Sequence, residues 1–230
     1  MAELSGANGY LTGLFFLIYN FNVIVGNSIV LIASALGSSI TTLFTILTAI
    51  AGCGTILIFF APSPPALSHS TSGPPARTAH ITTTQTIKQI LGAAKLPALQ
   101  LMMPQMAYQG TAQTFSMGVL PQLIGGTVSD RAYMFLAYGF VGCICSLVYG
   151  KMFDRWGWEW LAGVQVGATM LLHAVTLGIY FAGLDPHWYV LSGAIASLVD
   201  NAANSLNNMT ISKVAWARGE KGMNRDKKDR

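Results

Sequence analysis

Charge is scarce in this sequence. Asp, Glu, Lys and Arg make up 10% of its 230 residues, while 52% are hydrophobic. A soluble domain carries about 25% charged residues, so this composition cannot supply a water-facing surface, and the surface is expected to face lipid. Cysteine is nearly as scarce. Cys53, Cys143 and Cys145 all lie in apolar runs, which excludes a disulfide framework and reads as small packing residues. Metal-ligand spacing, a phosphate loop and a hydrolytic triad are also missing, so no cofactor, no metal and no enzymatic activity are expected. A basic region ahead of the first apolar run is absent too. That run is therefore read as a retained span rather than a cleaved leader.

What is present is a series of six long apolar stretches, at 12–36, 40–61, 96–120, 133–153, 160–182 and 188–214. Each approaches or exceeds the roughly 20 residues that cross about 30 Å of hydrocarbon. The expected fold is all-α and integral to the membrane, with six transmembrane helices. Between the second and third stretches the composition changes. Residues 62–86 are rich in Pro, Ser, Thr and Gly and cannot bury apolar surface, while 87–94 is more helix-like. The expected organisation is a two-span segment at 1–61, a linker at 62–94, a four-span segment at 95–216 and a basic tail at 217–230.

The basic residues set an orientation. With the linker in the cytoplasm, the loop between the fourth and fifth spans and the tail fall on the same side. That side gathers twelve of the thirteen Lys and Arg residues, and the opposite side has Arg131 alone. The positive-inside rule then places both termini in the cytoplasm. The net charge of +4 reads as membrane orientation and gives no nucleic-acid footprint.

Two local features carry candidate chemistry. The first is Gly150-Lys-Met-Phe-Asp154-Arg155-Trp-Gly157, in the tight loop after the fourth span. Gly157 admits a turn. Asp154 can accept from the N–H groups of a helix N-terminus, where the dipole favours an anion. Arg155 can pair with a carboxylate or lipid phosphate. The plainer reading is an ordinary positive-inside loop.

The second feature is a polar face on the sixth span, where Ser197, Asp200, Asn204, Asn207 and Asn208 recur at helical spacing. Asp200 is the one acid deep in any span, so it is expected to face protein or water, near Gln109 or Gln113 of the third span. That span also carries Gln105 and Tyr108, with Pro104 expected to kink it. The first span carries Tyr19, Asn20, Asn22, Gly26 and Asn27. These residues read either as the walls of a partly wet cavity or as interhelical hydrogen bonds. His173 reads as a helix–helix hydrogen-bonding group, and Gly163-x-x-x-Gly167 as a site of close helix approach.

The loop from Gly150 to Gly157 resembles the signature loop of the major facilitator superfamily. Gly13-Leu-Phe-Phe-Leu-Ile with Gly26-Asn27, Tyr108-Gln109-Gly110 with Gln113-Thr-Phe115, and Asp200-Asn-Ala-Ala-Asn204-Ser205-Leu-Asn207 resemble the fifth, seventh and tenth spans of its uncoordinated-93-like branch. Trp158 and Glu159 stand where that loop usually ends in basic residues. The resemblance implies that the chain corresponds to spans five to ten of twelve, and that Asp154 lacks its usual partner, the eleventh span, within the chain. It also implies a non-enzymatic membrane protein that regulates or escorts a channel or receptor. Alternatives are a secondary transporter of a small polar solute or ion, with Asp200 at its site, and a truncated product without independent activity.

Overall fold

A computed structural model describes residues 8–60, 97–123 and 125–228, with the backbone alone for 8, 58–59, 98–99, 101 and 212–228. The linker at 62–94 lies outside the described residues, as do the last two positions of the tail. Every regular element among the described residues is helical. They are α1 (Asn8–Ala35), α2 (Ile40–Phe59), α3 (Pro97–Thr114), α4 (Leu120–Leu123), α5 (Val128–Trp156), α6 (Trp158–Phe181) and α7 (Tyr189–Lys228). A π-helical turn, Phe115–Val119, joins α3 to α4, and a 3-10 turn, Pro186–Trp188, precedes α7.

Four helices, α1, α2, α5 and α6, are long and apolar enough to cross a membrane. The chain is thus a helical, membrane-integral protein. The expected six spans are met by length and apolarity in these four. The third and sixth stretches are helical as well, but Gln105, Gln109 and Gln113 in α3, and Asp200, Asn201, Asn204, Asn207 and Asn208 in α7, lower their apolar content.

Pro104 lies inside α3, which runs unbroken to Thr114. The change in helix type comes later, at Phe115. The helix of the last stretch continues past the expected end at 214, to Lys228.

The chain divides into two units, Met1–Gly37 with Leu101–Arg230, and Ser38–Gln100. In the second unit, α2 is exposed along nearly all of its described length, and its Thr45 and Thr55 hydroxyls bond back to the carbonyls of Thr41 and Ala51. Such bonds satisfy polar groups within an apolar helix.

In the first unit the backbones of α1 and α5 meet closely. A Cβ on Gly13 would stand 2.5 Å from the Ser146 carbonyl oxygen, and Gly9 and Gly150 face each other at similarly close range. Gly139 meets Ile24, and Gly142 meets Asn20. Gly9-x-x-x-Gly13 therefore packs on Gly142-x-x-x-Ser146-x-x-x-Gly150, and small residues at this spacing let membrane helices approach. Gly163 and Gly167, the expected close-approach pair, face open space instead.

The pairings fix helix directions. Low numbers of α1 meet high numbers of α5, from Gly9 with Gly150 to Ser34 with Ser129, so these two helices are antiparallel. Met134 meets Gly193 and Ser146 meets Asn201, so α5 and α7 are parallel. Thr176 meets Ser192 near the start of α7, while Leu161 clusters with Ala202, Leu206 and Met209 further along, so α6 runs against α7. Gln105 with Gln165, and Tyr108 with Thr169, set α3 parallel to α6. It follows that α1, α3 and α6 point one way, while α5 and α7 point the other. The central helix is α7, whose Ser192, Ser197, Ala202 and Ser205 are fully buried.

The N-terminus of α5 is held by a capping box. The Thr127 hydroxyl accepts from the Asp130 N–H at 3.3 Å, and the Asp130 carboxylate accepts from the Thr127 N–H at 2.7 Å. Thr127-x-x-Asp130 is a readable sequence signal for this reciprocal cap.

Candidate functional site

The loop from Gly150 to Gly157 takes its shape from Gly157. Its φ of +81° lies in the left-handed region that glycine enters freely, and its N–H bonds the Phe153 carbonyl at 3.0 Å, closing α5 one residue before α6 begins. One turn earlier, Asp154 Oδ1 accepts from the backbone N–H of Gly9 at 3.2 Å. Gly9 is in the first turn of α1, where N–H groups have no intrahelical acceptor and the dipole favours an anion. Asp154 therefore does have a helix N-terminus as partner within this chain. That partner is the start of α1, brought within reach by close glycine packing, in place of the eleventh span that the resemblance implies. The Arg155 guanidinium lies 5.7 Å from the centre of the Trp156 ring, a cation–π contact.

Deeper in the bundle, two polar constellations meet on α7. One is a three-helix node. Asn20 of α1 donates from Nδ2 towards Asn201 Oδ1 at 2.8 Å, Ser146 Oγ at 3.0 Å and its own helix's Phe16 carbonyl at 2.7 Å. Ser146 Oγ of α5 donates to Asn201 Oδ1 at 2.8 Å, and Asn201 Nδ2 donates to the Ser197 carbonyl at 2.9 Å. All four side chains are buried. Sequence reasoning placed Asn20 and Asn201 in polar runs without singling them out, and passed over Ser146.

The other constellation is a file of groups joining α5, α7 and α3. The Tyr138 hydroxyl donates to Asp200 Oδ2 at 2.5 Å, and Asn204 Nδ2 donates to the same oxygen at 3.1 Å. Gln109 Nε2 donates to Asn204 Oδ1, and Asn207 Nδ2 donates to Gln109 Oε1. Asp200 thus reaches Gln109 through Asn204 rather than directly. Tyr138, its closest partner, had not been foreseen. No described hydrogen bond brings Gln113 into the file. Asn27 stands apart from it too, donating to the Val23 carbonyl of its own helix at 2.8 Å.

The remaining polar groups of α3 turn to α6. Gln105 donates to Gln165 at 2.7 Å, and the Tyr108 and Thr169 hydroxyls lie 2.6 Å apart. These four line a cavity of about 270 Å³ with Ala162, Val166 and Met170. The cavity lies between α3 and α6, not between α3 and α7. Further along the same seam, the His173 ring stacks on Phe115 at 5.6 Å, and its Nδ1 lies 2.8 Å from the Thr169 carbonyl. The expected interhelical hydrogen bond at His173 is therefore a bond within α6, and it is the ring stack that links two elements. Among the described residues no group of three or more His, Cys, Asp or Glu side chains could hold a metal ion.

Comparison with known proteins adds a family. The family described as ion channel regulatory protein UNC-93 matches residues 7–181. No curated protein and no solved structure matches the chain.

Proposed function

The chain belongs to the UNC-93 family of ion channel regulatory proteins, and from that premise we propose that it acts by binding a channel or receptor in the membrane rather than by carrying a solute. The family is one of channel regulators, not of enzymes. The observation that carries the reading is where the polar groups of α3 go. Gln109 is tied by direct hydrogen bonds to Asn204 and Asn207, bridging α3 and α7. Gln105 and Tyr108 instead line a recess against α6. A solute path needs an open passage between α3 and α7, where Gln109 instead bridges the helices; polar groups in an open recess between α3 and α6 can meet a partner in the membrane.

The arrangement is that of a major-facilitator-type bundle in the present reading, with six spans that correspond to spans five to ten of twelve. Helix direction supports the count of six spans. Two spans of one chain that point the same way need an odd number of crossings between them, and α1 and α3 do point the same way. Between Gly37 and Leu101, α2 is the described helix long and apolar enough to serve. The signature loop, the start of α1 and the end of α7 then share one face. The basic residues make that face cytoplasmic.

The test is electrophysiological. Candidate channels are co-expressed with the full chain or with its Thr169→Trp variant, which fills the recess. The chain should change channel current or surface density at least twofold, and the filled variant should lose most of that effect. A solute flux that the chain supports without any effect on a channel, and that Thr169→Trp leaves intact, contradicts the reading.

A further inference from the structure

We infer that Asp200 is a binding site for a single positive charge, carried by a proton or by a small monovalent cation. Asp200 is 6% exposed and sits in a file of otherwise neutral groups. Its two hydrogen-bond donors, Tyr138 and Asn204, converge on Oδ2. Among the described residues nothing donates to Oδ1, and no Lys, Arg or His pairs with the carboxylate; the two ion pairs present both involve His187. The titratable group facing it from α5 is Tyr138, with Tyr19 of α1 behind it. The side chain of α3 that reaches the file, Gln109, is a neutral amide.

Hydroxyl and amide donors solvate a carboxylate but do not neutralise it. A bare charge at this depth is costly, and buried carboxylates are accordingly paired or neutralised. Oδ1 is the free position for the neutralising charge. Binding here requires no transport, so the inference stands whether or not the chain regulates a channel.

The probes are the proton and the cations Na⁺ and K⁺, with choline as the inert control. The unfolding temperature of the purified full chain is measured from pH 5 to pH 8 in choline, sodium and potassium chloride at constant ionic strength. If the charge is a proton, unfolding releases it, so stability falls as pH rises in choline. If it is a metal cation, Na⁺ or K⁺ raises the unfolding temperature over choline at pH 8. Either dependence should vanish in Asp200→Asn, which keeps the shape and cannot hold the charge. Tyr138→Phe, which removes one donor from Oδ2, serves where the first variant does not fold. It should move the midpoint of the pH or cation dependence by several-fold in concentration. The inference is overturned if wild type responds to none of the three, if Asp200→Asn retains the wild-type response, or if the midpoint in Tyr138→Phe is unchanged.

Discussion

The backbone N–H of Gly9 donates to the carboxylate of Asp154 across 145 positions of sequence, at 3.2 Å. This bond joins the first turn of α1 to the last turn of α5, at the end of a seam in which glycine backbones already touch. A carboxylate at a helix N-terminus contributes about 0.3–1 kcal/mol, up to about 2 when partly buried. Asp154→Asn keeps an acceptor oxygen and removes the charge. It should lower the stability of the purified chain by an amount in that range, read by thermal unfolding in detergent. A variant as stable as wild type would show that the dipole contributes nothing here.

The glycines of α1 and α6 should respond in opposite senses to one methyl group. At Gly13 a Cβ would press on the Ser146 carbonyl oxygen, and overpacking of this kind costs about 1–3 kcal/mol. At Gly163 nothing lies within 4 Å, and a helical Gly→Ala without strain adds about 0.4–1 kcal/mol. Gly13→Ala should therefore reduce folded yield and unfolding temperature, while Gly163→Ala should hold or raise both. Equal effects would mean that α1 and α5 are not in backbone contact.

The Asn20 node should hold three helices together without carrying chemistry. Asn20→Ala removes the donors that reach α5 and α7 and should cost roughly 0.6–2 kcal/mol, the range for interhelical hydrogen bonds in membranes. Pairing it with Ser146→Ala in a double-mutant cycle isolates the coupling. Strictly additive losses would show that the two side chains do not interact.

The sequence carried the helices well and their partners poorly. Long apolar runs are set by bilayer thickness, so α1, α2, α5 and α6 could be read directly. An inward-facing Asp200 was to be expected because lipid offers an ionised carboxylate no solvating partner. Tyr138 was not legible as its partner, because that contact depends on α5 lying parallel to α7, and no local pattern encodes that neighbour. The glycines show the same limit. Gly9-x-x-x-Gly13 and Gly163-x-x-x-Gly167 have identical spacing, yet one is packed and the other open. Spacing gives a helix a flat stripe, but neighbours decide whether anything lies on it. For Asp154 the motif offers an acceptor for a helix N-terminus but does not say which helix, because the fold rather than the motif brings α1 to it.

Sidedness is the premise for the signature loop, the direction of α7 and the placing of all three basic clusters. Single cysteines at Ser70, Ser129 and Asn224, in a chain whose Cys53, Cys143 and Cys145 have been replaced, test it in sealed cells with a membrane-impermeant thiol reagent. Ser129 opens α5 at the end opposite the signature loop, and position 129 should be labelled from outside. Positions 70 and 224 should be labelled only after the membrane is permeabilised. Labelling of 70 or 224 in intact cells, or protection of 129, would contradict the alternating arrangement with its basic face in the cytoplasm.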